Sequence, residues 1–326
     1  MKVVLLPGDG IGAEVAAAAA RVLRELPMEL ELEEHLFGGA AIREAGLPLP
    51  PETLAACGTA DAVLLGAVGD PAFDDAELRP EHGLLSLRWE MDVFANLRPA
   101  RNDRVDLLVV RELVGGLYFG ERGTRADGTV FDTMEYRPEQ VERIARRGFE
   151  IASSRRRLLT SVDKANILAT SRLWREVVEG VAAEYEDVEL RHMLVDNCAM
   201  QLVLAPAQFD VLLTENTFGD ILSDVAAGVT GGLGLAASAS LGHGRPGIFE
   251  PVHGSAPDIA GRGIANPAAM LRSAALMLRH GLDEPDQAGR LEAAVDAALA
   301  AAPTPDLGGA ATTSEFTDAV LSALPR

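Results

Sequence analysis

Thr214-Glu-Asn-Thr-Phe-Gly-Asp-Ile-Leu-Ser-Asp224 decides how the chain is read. The apolar run at 209–214 has the length and content of a buried strand, and Asp220-Ile-Leu-Ser-Asp-Val-Ala-Ala has the pattern of a helix start. A strand feeding a helix is the building unit of an α/β fold. In that helix Asp220 and Asp224 stand four apart and share a face. Two neighbouring carboxylates repel unless a cation lies between them, and hard divalent ions take oxygen ligands. A helix N-terminus also favours acids without any metal, with Asp220 near the cap and Asp224 solvated. The pair alone leaves both readings open.

The pattern continues on either side. Val3-Val-Leu-Leu reads as a buried strand, turned by Gly8-Asp-Gly-Ile-Gly12 into an Ala-rich helix over 13–26. The turn is spaced G-x-G-x-G rather than G-x-G-x-x-G, so a tight strand-to-helix connection explains it as well as phosphate binding does. Residues 29–36 alternate at period two, a helix is expected near 51–57, and 61–69 reads as another buried strand. Further on, the spacing predicts a helix over 83–92 and an extended segment over 93–99. A strand is expected at 107–113, hairpin-like sequence over 115–136, and helices at 138–157 and 171–185 around a strand at 158–163. A strand at 188–195 precedes the opening stretch, 228–247 reads as glycine-rich loops, and helices close the chain near 267–280, 287–301 and 313–324. The sum is an α/β protein with a largely parallel central sheet flanked by helices.

With 326 residues the chain has room for one or two domains. A formal net charge of −20 argues against nucleic acid and anionic membranes as partners. Two cysteines without metal-type spacing, and no run approaching a membrane span, fit a reduced cytoplasmic protein. Only Lys2 and Lys164 of the 29 basic residues are lysine. Lys164, in Ser161-Val-Asp-Lys-Ala-Asn166, therefore suggests a task arginine cannot fill, giving up a proton.

Three arginines recur in the middle of the chain: Arg88, Arg98 and Arg111. Arg111 sits in Leu-Leu-Val-Val-Arg-Glu-Leu and needs a buried partner or a ligand; structural ion pairs around Glu112 are the plainer account. Tyr118 lies in Gly115-Gly-Leu-Tyr-Phe-Gly120, flanked by glycines that would let a ligand approach. Asp196, after the 190–195 run, reads as an N-cap or a third metal carboxylate. Glu250-Pro-Val-His-Gly-Ser-Ala-Pro-Asp-Ile-Ala-Gly261 reads as a small-residue loop able to wrap a nucleotide, with Asp258 available to ribose hydroxyls.

Taken together, these motifs, with Phe37-Gly-Gly-Ala40, Gly83-Leu-Leu-Ser-Leu-Arg88 and Asn96-Leu-Arg-Pro99, resemble the isocitrate/isopropylmalate dehydrogenase family nearly end to end. The resemblance implies the family's two-domain fold: 1–93 with 231–326 as the cofactor-side domain, 94–230 as the dimerisation domain, and the active-site cleft between them. It implies NAD-dependent oxidative decarboxylation of 3-isopropylmalate to 4-methyl-2-oxopentanoate, a step of leucine biosynthesis, with hydride passing from C2 to NAD before metal-assisted loss of CO2. Arg88, Arg98 and Arg111 would hold the substrate carboxylates, with Glu81 and Asp196 beside the substrate. Asp196, Asp220 and Asp224 would bind Mg2+ or Mn2+. Lys164 would take the hydroxyl proton and Tyr118 would protonate the enol carbon. Lys164 and Asp196 would come from the neighbouring subunit, so a homodimer with shared sites is implied.

For the cofactor, the resemblance points to Ile11, Glu250, His253, Gly254, Ser255, Ala256, Asp258, Ile259 and Asn266, the acid at Asp258 favouring NAD over NADP. Leu84, Leu85 and Ile167 would make an apolar pocket for the isopropyl group, where a carboxylate would be desolvated without a partner. That pocket argues against the alternative of a decarboxylating malate or tartrate dehydrogenase. The presence of Tyr118, Lys164, Asp220 and Asp224 argues against a non-catalytic regulatory homologue. Four departures stand out: Ala13 after the glycine turn, a short connection at 101–106, Glu215 near the metal and cofactor where the resemblance implies a small residue, and Cys198 beside the carboxylate of Asp196.

Overall fold

Residues 62–67 and 211–214 are buried at every position. A strand with no solvated face must be covered on both sides, which is the condition of a parallel sheet between helices. The computed structural model describes residues 1–244 and 246–324. In chain order the strands are β1 (Lys2–Gly8), β2 (Glu31–Glu34), β3 (Ala62–Ala67), β4 (Ala95–Arg101), β5 (Asp106–Glu112), β6 (Arg122–Thr124), β7 (Val130–Asp132), β8 (Leu158–Asp163), β9 (Glu189–Leu194), β10 (Val211–Thr214), β11 (Ala237–Leu241) and β12 (Gly247–Pro251). The α-helices are α1 (Gly12–Leu23), α2 (Gly38–Ala45), α3 (Pro51–Thr59), α4 (Pro80–Glu90), α5 (Pro138–Ser153), α6 (Ala169–Ala182), α7 (Val195–Leu204), α8 (Asn216–Thr230), α9 (Ala268–Leu276), α10 (Pro285–Ala301) and α11 (Thr313–Ala323).

The chain divides into two compact units, residues 1–93 with 233–326, and residues 94–232. In the first, the strands run β2-β1-β3-β12-β11, parallel except for the β11–β12 pair. The turn after β1 is shaped by its neighbours. Asp9 accepts from the backbone amides of Gly39, Ala40 and Gly69, each at 3.0 Å. Gly10 has φ +56, and a Cβ there would overlap the Ser255 carbonyl oxygen; beside it the Ile11 amide donates to that oxygen at 2.8 Å. The glycine is thus spent on a close approach between the turn and the 253–261 segment.

In the second unit the order is β4-β5-β10-β8-β9, with β4 and β5 antiparallel and the rest parallel. The short 101–106 connection is a tight hairpin: the Asn102 amide donates to the Val105 carbonyl at 2.8 Å, and its side chain accepts from the Arg104 and Val105 amides. Cys198 lies fully buried in a cluster with Leu107, Val109, Leu202, Phe209 and Leu222. Burial pushes its thiol up to about 12, so it is core rather than a reactive group. Strands β6 and β7 form a separate two-stranded ribbon.

Several expectations are corrected. The helix of the opening stretch begins at Asn216, four residues before Asp220, with Glu215 as its N-cap. Its carboxylate accepts from the Thr217 and Phe218 amides at 3.0 and 2.5 Å, satisfying donors a helix start leaves orphaned. Residues 228–247 are not loop throughout, since α8 runs to Thr230 and β11 is a strand buried along most of its length. Glu250 lies in a strand, and Asp196 sits inside the first turn of α7 behind an N-cap at Leu194.

Gly10→Ala should destabilise the protein by at least about 1–3 kcal/mol from backbone strain, with the Ser255 overlap added. Gly180→Ala, in α6 with nothing near its would-be Cβ, should stabilise it by about 0.5–1 kcal/mol. Denaturant midpoints of the two variants measure both, and equal shifts would contradict the account of Gly10.

Candidate active site

Parallel strands place chemistry at their carboxyl ends. In the second unit β5 and β10 run parallel with Arg111 opposite Thr214, so Arg111 faces the start of α8. Its side chain is 2% exposed, and a buried guanidinium must be matched on all sides. Asn216 Oδ1 accepts from Arg111 Nε at 3.0 Å and from Nη2 at 2.7 Å, while Nη1 pairs with Asp220 Oδ1. Asn216 is held in turn by donating to the Leu113 and Gly115 carbonyls. Gly219 allows the approach, because a Cβ there would sit 2.6 Å from Arg111 Cγ.

The same helix face receives Arg98. Its Nε donates to Asn96 at 2.8 Å, Nη1 donates to Ser223 at 2.8 Å, and its guanidinium lies 3.4 Å from Asp220 and 3.5 Å from Asp224. Partial burial, opposed by Arg98 and reinforced by the Asp220 charge, raises the Asp224 carboxyl above the usual carboxylate range. Tyr118 donates from its hydroxyl to Asp220 Oδ2 at 2.9 Å. Burial, then the Asp220 charge, pushes its phenol up to about 12, so at neutral pH it carries its proton.

Lys164 follows β8 in the same unit. Asp163 anchors the turn, accepting from Arg175 twice at 2.9 Å and from the Ala165 amide. The ammonium of Lys164 lies 2.8 Å from Asp196, whose side chain is 67% exposed. The Lys164 hydrogen bond holds the Asp196 carboxyl below the usual carboxylate range. Among the described residues no three His, Cys, Asp or Glu side chains converge as a metal site. One chain therefore joins Asp220 to Asp224, and Lys164 to Asp196, without uniting the two pairs. The Asp220–Asp224 oxygens are the hard donors a divalent cation takes, as an incomplete set.

In the first unit Arg88 Nη2 lies 2.6 Å from Glu250 Oε1, both buried, and Arg88 Nε is enclosed without a hydrogen-bond partner among the described residues. Leu84 and Leu85 are half-buried on α4, the helix that also carries Glu81. A Cβ built at Gly69 would meet Glu81 Oε1 at 3.3 Å and Ser255 Oγ at 3.4 Å, so these two side chains converge there. His253 Nε2 is likewise buried without a partner among the described residues, while Gly254 and Asp258 are exposed and Ala256 adopts φ +41. An orphaned imidazole nitrogen beside the exposed residues Gly254 and Asp258 fits a nucleotide. Asn266 is already engaged, donating to Asp306 and accepting from the Ala268 amide, both at 3.0 Å. Ile11 is buried, Ile259 half-buried and Ile167 66% exposed.

The sequence reading missed Asn216, Asn96 and Ser223, which aim the arginines, although Asn216 stands four residues before Asp220 on the same helix face. It also misread the glycines around Tyr118. A Cβ at Gly116 would lie 2.6 Å from the Tyr136 hydroxyl oxygen, and one at Gly120 would overlap the Thr133 carbonyl. They admit the protein's own chain rather than a ligand. Arg111 finds its hydrogen-bonding partners on α8, while the carboxylate of its neighbour Glu112 receives the Tyr136 hydroxyl at 3.1 Å and the Val114 amide.

Burial pushes Glu112 up to about 7. A raised carboxyl binds its proton more tightly when folded than unfolded, so its contribution is present at low pH and lost as pH rises from about 4.5 to about 7. Relative to the parent, Glu112→Gln should gain stability across that window and level off above it. Chemical denaturation from pH 4 to 8 reads this difference; a flat one would show that Glu112 ionises normally.

A family model described as isocitrate/isopropylmalate dehydrogenase matches residues 2–320. A curated 3-isopropylmalate dehydrogenase from Zymomonas mobilis is 53% identical, covering 99% of this chain and 100% of its own. One from Synechococcus is 55% identical, covering 92% of this chain and 91% of its own. Among solved structures, an isocitrate dehydrogenase from Methylococcus capsulatus superposes with TM-score 0.93 at 38% identity, covering 100% and 99% of the two chains. A β-decarboxylating dehydrogenase from Thermococcus kodakarensis gives TM-score 0.86 at 39% identity, covering 99% and 96%.

Proposed function

Since the chain belongs to the isocitrate/isopropylmalate dehydrogenase family, we propose that it oxidatively decarboxylates 3-isopropylmalate to 4-methyl-2-oxopentanoate. The observation that carries this reading is end-to-end similarity to relatives bearing that enzyme's name. In this reading NAD would serve as the hydride acceptor for C2, and Asp220, Asp224 and the neighbouring subunit's copy of Asp196 would hold a Mg2+ or Mn2+ ion that supplies Lewis acidity.

The chain's own groups divide the remaining work. Arg98 and Arg111, pinned by Asn96, Ser223 and Asn216, present guanidinium forks to the substrate carboxylates, joined by Arg88. Lys164, in its neutral amine form, accepts the C2 hydroxyl proton, and its partner Asp196 steadies the ammonium that results. Tyr118, kept protonated at neutral pH, delivers a proton to the carbon that loses CO2. Leu84 and Leu85, with Ile167, exclude a charged substituent in favour of a branched alkyl group. Ile11, His253, Ser255, Asp258 and the backbone around them hold the dinucleotide, with Glu81 beside the substrate. Exposed Met200, Val203 and Leu204 of α7 and Ile221 of α8 supply an apolar face for a second subunit. No described helix is long and apolar enough to cross a membrane.

NADH production with 3-isopropylmalate, malate, tartrate and isocitrate, each with Mn2+ and then a chelator, tests the substrate. Chelator-sensitive turnover should be strongest on 3-isopropylmalate; preference for malate or tartrate would overturn the pocket assignment, and none on any would overturn the reading. Subunit sharing has a separate test. Lys164→Ala and Tyr118→Phe proteins, each inactive, should regain about a quarter of parental activity when unfolded and refolded together, since half of randomly mixed dimers carry one intact site. No recovery would place Lys164 and Tyr118 in the same subunit's site.

A further inference from the structure

Tyr136 lies between β7 and α5 and belongs to none of the groups assigned above. One side of its ring is received by Gly115 and Gly116, where added Cβ atoms would come within 2.8 Å of Cε1 and 2.6 Å of the hydroxyl oxygen. Another meets Trp174 edge-on at 5.8 Å between centroids, and Trp174 is tied by its indole N–H to Ser161 at 3.1 Å. The hydroxyl accepts from the Asn216 amide at 3.0 Å, with Glu112 Oε2 at 3.1 Å and Glu215 Oε2 at 3.5 Å. Phenylalanine would fill the ring space equally well. A hydroxyl set between two buried carboxylates is expensive unless its hydrogen bonds are needed.

We infer that Tyr136 is a positioning residue for the reaction proposed above, setting Arg111 through Asn216 and Tyr118 through the Gly115–Gly116 turn. The Asn216 amide is the first donor of α8, and Tyr136 is its acceptor; Asn216 carries the oxygen on which two Arg111 nitrogens rest. The turn that wraps the phenol ends at Tyr118, and its Gly116 amide is fixed to the Glu135 carbonyl beside Tyr136 at 3.1 Å. One hydroxyl thereby spans the supports of an arginine and a tyrosine that both contact Asp220. Its single proton serves one carboxylate while its lone pair serves the helix.

The test compares Tyr136→Phe with the parent. Removing the hydroxyl should lower kcat about 10- to 100-fold and raise KM for 3-isopropylmalate, while KM for NAD holds. A Trp174→Phe control loosens the same ring from its other side and should lower Tm with kcat kept. A crystal structure of Tyr136→Phe should show Asn216 turned and Arg111 withdrawn from Asp220. Unchanged kinetic constants, or Asn216, Arg111 and Tyr118 in their parental positions, overturn the inference. Because the inference rests on the proposed reaction, the crystallographic comparison decides it even if the parent fails to oxidise 3-isopropylmalate, a failure that would count against the reaction alone.

Discussion

A guanidinium buried at the end of β5 is the constraint from which the second unit is arranged. Arg111 cannot be withdrawn from water without partners, and truncating one side of a buried pair typically destabilises by about 3–5 kcal/mol. Its partners come from α8, which must begin immediately after β10 and lie close enough to touch the Arg111 stem. Glu215 at the cap, Asn216 at the first helical position and Gly219 one turn on each answer one of those requirements. Asp220 completes the set, partly open, and takes the Tyr118 hydroxyl on its second oxygen.

Charge is layered around this arginine. On one side are carboxylates beside guanidinium groups, Asp220 and Asp224 with Arg98 and Arg111. On the other lie Glu112 and Glu215, which burial raises above the usual carboxylate range. A protein with a formal charge of −20 keeps acids in both places by different means: cations for those facing outward, hydrogen bonds for those inside.

Strands, helices and the chemical groups themselves were largely legible, because apolar runs and Arg, Asp, Lys and Tyr in an unusual setting announce themselves. Boundaries were less so. The run of α8 from Asn216 was hidden because a glutamate can cap a helix but is a poor signal for one, and β11, Ala-Ser-Ala-Ser-Leu, is too small-sided to read as a strand. The glycines near Tyr118 invited a ligand-based explanation since nothing local shows that residue 136 returns to pack there. Arg88 with Glu250, 162 positions apart, is likewise a pairing only the fold creates.

The near-absence of lysine has a practical side. Lys2 is tied to Glu33 at 2.5 Å, and Lys164 is the one other side-chain amine in the chain. Most proteins scatter amines over their surface, so acylating or reductively alkylating reagents modify them at many places at once. Here such reagents meet two side chains, one at the edge of the first unit and one paired with Asp196. Amine chemistry, usually the least selective way to label a protein, becomes close to site-directed.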